Sequence, residues 1–151
     1  MMRGCAHSVA ELLPHGAPMV LLDAVLEWDN GYVGTRLNVR RDIPFFVPQQ
    51  GVPSYVGLEY MAQTCGAYAG LEALALQQPV RMGFLLGTRN YHAGVDWFRA
   101  GDALVITARE ILRQEGMGVF DCRIICQGVE IASAQLNLYQ PEDAAAAFHL
   151  S

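Results

Sequence analysis

One stretch of the chain concentrates groups that can do chemistry: Gly51-Val-Pro-Ser-Tyr-Val-Gly-Leu-Glu-Tyr-Met-Ala-Gln-Thr-Cys-Gly-Ala-Tyr-Ala-Gly70. It reads as a helix start followed by a long, almost wholly apolar helix, and a helix apolar all round is a buried one. Into it the sequence sets one carboxylate, Glu59, with Gln63 four residues on. A lone carboxylate in such a helix is costly to bury unless it is paired, protonated or used. Residues four apart share a helix face, so the Gln63 amide can orient the Glu59 carboxylate, or bond backbone across a dimer instead. A structural Glu, bonded to backbone or to an arginine, is the alternative to acid–base chemistry at this position.

The elements that must position these groups follow from patterning. Ser8-Val-Ala-Glu-Leu-Leu13 predicts a short helix capped by Ser8, with Glu11 at the capping-box position and Pro14 as its stop. Residues 19–29 and 32–40, rich in Val and Leu, predict two strands around the turn Asp29-Asn-Gly31. The long helix is expected from about Ser54, a plausible N-cap, to about Leu76, roughly 30 Å at about 1.5 Å per residue. Strands are expected over 81–93, 103–113, 117–126 and 129–139, with turns at Arg99-Ala-Gly-Asp102, Glu115-Gly116 and Gln127-Gly128. Alternation in Ala103-Leu-Val-Ile-Thr-Ala-Arg-Glu-Ile predicts one buried face. One apolar helix and a meander of antiparallel strands make an α+β layer in which the sheet wraps the helix. Small residues on the helix (Gly57, Ala62, Gly66, Ala69, Gly70) would let strands pack close. No repeat, linker or second domain is evident, and the first seven and last ten or so residues are expected to be disordered.

Composition bounds the function. Hydrophobic residues make up 52% and charged residues 17% of the 151. That is apolar for a chain this size and suggests further burial in an oligomer. Net charge is -5, and the ten cations are scattered arginines with no lysine, which argues against nucleic-acid binding. No apolar run has the length of a membrane span, nor is there a signal peptide, so the cytoplasm is the default. The four cysteines, Cys5, Cys65, Cys122 and Cys126, include no CxxC and no histidine placed to complete a metal site. They read as reduced thiols.

Leu13-Pro-His-Gly-Ala-Pro-Met-Val-Leu-Leu-Asp-Ala-Val25 resembles the opening of FabZ-type 3-hydroxyacyl-[acyl-carrier-protein] dehydratases. Pro44-Phe-Phe46, Pro53 with Leu58-Glu-Tyr-Met-Ala-Gln63, Gly83-Phe-Leu-Leu-Gly87 and Ala100-Gly-Asp102 resemble that family's later motifs. Leu13-Pro-His15 with Ala17-Pro-Met19, Glu59-Tyr-Met-Ala-Gln-Thr64, Leu85-Leu-Gly-Thr-Arg89 and Phe120-Asp-Cys-Arg-Ile124 together resemble its ApeP-like branch, which is associated with aryl polyene assembly. The resemblance implies a hot-dog fold, a long central helix wrapped by an antiparallel sheet. It also implies a hydro-lyase that dimerises, with itself or with another hot-dog subunit, and that needs no metal or redox cofactor because its substrate rides on the phosphopantetheine of an acyl carrier protein.

The same resemblance assigns roles. Glu59 becomes the acid–base carboxylate, and the amides of Ser54 and Tyr55 face the thioester carbonyl as donors. The chain departs from FabZ at the loop Phe46-Val-Pro-Gln-Gln-Gly-Val-Pro53, where the family's Gly-His-Phe-Pro histidine is missing. His15 is the candidate for the absent imidazole, and His92 the competitor. Arg89 and Arg99 are candidates for contact with phosphopantetheine or an acidic carrier, against a solvated-surface reading. Tyr55, Tyr60, Phe84 and Trp97 are candidates for an acyl tunnel, against plain core. Two other functions fit the same residues: a hot-dog thioesterase, with the carboxylate activating water, and a non-catalytic subunit whose site a partner completes.

Overall fold

The structure is a computed structural model that describes residues 2–5, 7–13, 20–79 and 83–140, without the side chain of Phe84. Its elements are α1 (Val9–Leu12), β1 (Ala24–Asp29), β2 (Tyr32–Asn38), β3 (Val52–Pro53), α2 (Gly57–Ala75), β4 (Phe84–Ala93), β5 (Trp97–Phe98), β6 (Ala103–Gln114), β7 (Met117–Cys126) and β8 (Val129–Tyr139). Six strands form one antiparallel sheet in the order β1-β2-β6-β7-β8-β4, and β3 pairs with β5 in a ribbon of their own. The sheet curls around α2, which packs on β2, β6 and β7. This is the hot-dog arrangement.

Turn chemistry sets the meander. Glu115 and Gly116 take φ of 52° and 82°, and Gln127 and Gly128 take 52° and 76°. Paired positive φ values give the two-residue turns whose twist matches antiparallel strands. Each strand then offers alternate residues to the helix: Leu104, Ile106 and Ala108 on β6, Phe120, Cys122 and Ile124 on β7, and Ala132, Ala134 and Leu136 on β8. The Tyr68 hydroxyl accepts from the amide of Gly31 at 2.8 Å, tying the first hairpin to the helix. The buried hydroxyls of Thr35 and Thr64 meet at 2.9 Å.

Several expectations need correction. The first strand begins at Ala24; the described residues before it, Val20 to Asp23, run as irregular chain. The long helix opens with a 3-10 turn over Ser54–Val56, and Ser54 lies inside that turn and caps nothing through its side chain. Two of the described N-terminal residues make defined contacts or caps: Arg3 and Ser8. Arg3 bridges Trp28 through bonds of 2.6 and 2.9 Å, with its guanidinium over the indole ring. The expected disorder of the C-terminal tail lies outside the described residues. The capping box at Ser8 and Glu11 forms as expected. The small helix residues admit α1 as well as strands: a Cβ on Gly70 would lie 2.2 Å from the carbonyl oxygen of Leu12, and one on Gly66 2.9 Å from the Leu13 side chain. All four cysteines are free thiols. Cys65 on α2 and Cys122 on β7 are buried with sulfurs 3.5 Å apart, and burial pushes the Cys65 thiol above its ordinary range.

Candidate active site

The helix is not buried on all sides. Tyr55 and Glu59 are exposed, and Leu58, Ala62, Gly66, Ala69 and Ala73 are half-buried, at the spacing of a single helix face. Glu59 stands at the head of that open stripe, in the first α turn. The burial expected for it is therefore not met within this chain, because the sheet curls over the opposite face. The helix N-terminus, where free amides carry partial positive charge, favours a carboxylate there.

Gln63 fixes the carboxylate. Its side chain is 2% exposed. Its Oε1 accepts the amide of Leu21 at 2.8 Å, so its Nε2 is left to donate to Glu59 Oε1 at 3.3 Å. The oxygen is committed to a backbone N–H, so the amide cannot flip without losing that bond.

The start of the helix is pinned from two sides. The Ser54 amide donates to the Asp96 carbonyl at 2.9 Å, which removes it from the pair of donors expected for a substrate. The Ser54 carbonyl accepts from the hydroxyl of Tyr91. Next in line is the amide of Tyr55, in a helical first turn that has no preceding carbonyl to receive it. The Tyr55 ring is 70% exposed beside it.

The other candidates divide. His15 lies outside the described residues. His92 is exposed on β4, opposite Ser133 of β8, and the polar contact of Glu59 is with Gln63, not with this imidazole. Tyr60 is core: it is 1% exposed and its ring lies 5.9 Å from that of Phe98, centroid to centroid. Tyr55 is too exposed for a closed tunnel within this chain, Trp97 is half-buried in β5, and the Phe84 side chain is outside the description. Arg89 is exposed on β4. Arg99 lines a cleft of about 450 Å³ with Arg41, Phe46, Pro48 and Gln50. Among the described residues neither Arg41 nor Arg99 forms an ion pair. The reading of the sequence overlooked Arg41, Tyr91 and Asp96. Of these, Tyr91 alone had a local signal, the preceding Asn90, a residue type that tolerates the left-handed conformation a bulge needs.

A hot-dog fold with a glutamine-held carboxylate at the head of its central helix defines the class. The chain belongs to the ApeP-like family, whose model, described as ApeP dehydratase, matches residues 7–149. It is 32% identical over 141 residues to the 3-hydroxyacyl-[acyl-carrier-protein] dehydratase FabZ of Streptococcus thermophilus, covering 87% of this chain and 93% of that one. FabZ of Streptococcus pneumoniae is 33% identical over 139 residues, with 85% and 92% covered. Among solved structures, a chain of the dehydratase heterocomplex ApeI:P from Xenorhabdus doucetiae superposes with a TM-score of 0.91 at 31% identity, covering 97% of this chain and 98% of its own. The PaaI protein of the Escherichia coli phenylacetic acid operon shares the fold, with a TM-score of 0.61 at 16% identity, covering 76% and 80%. No helix among the described residues is long and apolar enough to cross a membrane.

Proposed function

We propose that this chain, as one hot-dog domain, dehydrates 3-hydroxyacyl thioesters carried on acyl carrier protein to trans-2-enoyl thioesters, in aryl polyene or fatty-acid-like biosynthesis. The observation that carries the reading is Glu59, presented on the open face of α2 and held by Gln63. In this reaction a base takes the Cα proton, enolate charge develops on the thioester oxygen, and an acid protonates the departing β-hydroxyl as water. Glu59 serves the hydroxyl, and the Tyr55 amide receives the carbonyl oxygen. The step is a proton transfer and an elimination with no change of oxidation state, so it calls for no redox cofactor.

His15 is the proposed imidazole. Its support is the way its flanks are held. Leu13 packs toward Gly66, and the amide of Leu21 is bonded to Gln63, the residue that holds Glu59. His92, exposed on β4, is the weaker candidate.

Arg41 and Arg99, which form no ion pair among the described residues, offer their guanidinium groups to a phosphodiester or an acidic carrier surface. A second hot-dog subunit completes the assembly, as in the ApeI:P heterocomplex. Among the described residues the outer edge of β4, with Leu85 and Leu86 47% and 55% exposed, is the strand edge left open at that side of the sheet. The cytoplasm is the proposed location.

The test is a carrier-bound 3-hydroxyacyl thioester followed by mass spectrometry, with the chain alone and with a second hot-dog dehydratase subunit. Loss of water is expected from wild type. Glu59→Gln and His15→Ala, each shown to be folded, are expected to slow it by about 10²–10⁴-fold, the range of a general acid–base group. Free acid in place of the enoyl thioester would make the chain a thioesterase. Turnover that survives Glu59→Gln in the mixed assembly would make it the non-catalytic partner.

A further inference from the structure

The strand beside the helix start carries an irregularity with a purpose. β4 loses register with β8 between Arg89 and His92. Asn90 there takes φ of 56°. A bulge re-aims the side chain next to it, and the chain after Asn90 sends Tyr91 onto the head of α2. The Tyr91 hydroxyl donates to the carbonyl of Ser54, which also receives the amide of Gly57. Gly57 makes the approach possible. A Cβ there would lie 2.6 Å from the Tyr91 hydroxyl oxygen and 2.9 Å from the Ile124 side chain.

The carbonyl of Ser54 and the amide of Tyr55 are two ends of one peptide unit. That unit is planar and trans, so fixing the direction of its C=O fixes the opposite direction of its N–H. A hydrogen bond to the oxygen also polarises the unit and strengthens the N–H as a donor, by about 10–30% per bond. Burial pushes the Tyr91 hydroxyl up to about 12, so it remains a donor at neutral pH. The Ser54 amide is spent on Asp96, which leaves the Tyr55 amide as the donor this arrangement serves.

We infer that Tyr91 is a positioning residue for the dehydration: its hydroxyl aims and polarises the Ser54–Tyr55 peptide, so that the Tyr55 N–H meets the thioester oxygen as enolate charge develops. The inference rests on the dehydratase reading of the same site. Outright loss of an oxyanion donor costs about 10²–10³ in rate. Weakening one that stays in place is expected to cost about tenfold in kcat, with KM unchanged.

The experiment compares wild type with Tyr91→Phe in the full chain, alone and with a second hot-dog dehydratase subunit, by turnover and by infrared spectroscopy. The probe is trans-2-butenoyl-pantetheine labelled with ¹³C at its carbonyl. Bound to wild type, its carbonyl stretch is expected at lower frequency than in water. Tyr91→Phe should return much of that shift, and 3-fluorotyrosine at position 91, a stronger hydroxyl donor, should deepen it. Equal kcat in wild type and Tyr91→Phe overturns the inference. So does a fall in kcat with the carbonyl frequency unmoved, which would make Tyr91 a support of the fold alone. Failure of wild type to dehydrate under either condition overturns the dehydratase reading, and this inference with it.

Discussion

Replacing Gln63 by leucine tests whether one side chain links the fold to the site. Leucine has nearly the volume of glutamine and suits a position 2% exposed, so the change removes polar atoms and leaves packing nearly intact. What is lost is the acceptor for the Leu21 amide at 2.8 Å and the donor to Glu59 at 3.3 Å. A buried N–H left without a partner costs about 1–3 kcal/mol. Relief of burying the glutamine amide offsets part of this, so the net expectation is about 1–2 kcal/mol. For a chain of this size that lowers Tm by roughly 2–8 °C. The effect should also be local: the Leu21 amide, protected from hydrogen exchange in wild type, should exchange faster in the variant by more than the global loss of stability explains. Because Glu59 loses the group that holds it, kcat for dehydration should fall even at temperatures where the variant is fully folded. An unchanged Tm together with an unchanged Leu21 exchange rate would refute the assignment of Gln63 as the tie between this segment and the helix.

Two further outcomes concern the cleft arginines and Tyr91. Converting Arg41 and Arg99 together to alanine should raise KM for the carrier-bound thioester by about tenfold, equivalent to about 1.4 kcal/mol. It should leave KM for a pantetheine thioester without phosphate unchanged, and an equal rise for both substrates would remove the anion-recognition role. Stability should also fall at high pH. Burial raises Tyr91 from its ordinary value of 10.0 to about 12. Its contribution is therefore complete below about pH 10 and is lost as pH rises towards about 12, where the unfolded chain has released a proton that the folded one still holds. Urea melts at about pH 9 and about pH 11 should show a smaller drop for Tyr91→Phe than for wild type; equal drops would mean that other groups account for the base sensitivity.

How far the sequence revealed this depends on whether a feature leaves a local mark. The hairpins did: Glu115-Gly116 and Gln127-Gly128 each put a glycine where positive φ is needed, and the strands between them followed. The central helix was legible from its length and composition. Its open face was not, because Ala62 and Ala69 read alike whether they meet a strand or face outward. The β3 and β5 ribbon escaped notice since two-residue strands have no period to detect. Glu59 and Gln63 could be paired by spacing alone, but the partner that orients Gln63 is a backbone amide 42 residues away, and no pattern in the chain announces it. Ser54 had the right residue type for a cap. The Asp96 carbonyl took its amide, and the chain entered the helix through a 3-10 turn whose cap position is Pro53.

The exposure of Glu59 bears directly on how the chain works. Charge that develops on a thioester oxygen is stabilised best where water is excluded and the donors are fixed in advance. Among the described residues the fixed groups exist: the Ser54–Tyr55 peptide is held at its carbonyl by Tyr91, and the Glu59 carboxylate accepts from Gln63. Among the same residues the exclusion of water does not, because the stripe from Tyr55 through Glu59 to Ala73 stays open while the opposite side of the helix is sealed by the sheet. A surface that carries a prepared donor and a prepared carboxylate, and is otherwise lined by Leu58, Ala62, Gly66 and Ala69, has the composition of half an interface. The dehydratase reading therefore carries a structural demand: a second subunit must lie over this stripe before the carboxylate works in the dry surroundings the reaction needs. On that argument, turnover by the chain should rise steeply with its concentration, or with that of a partner subunit, and should track the loss of solvent exposure at Glu59.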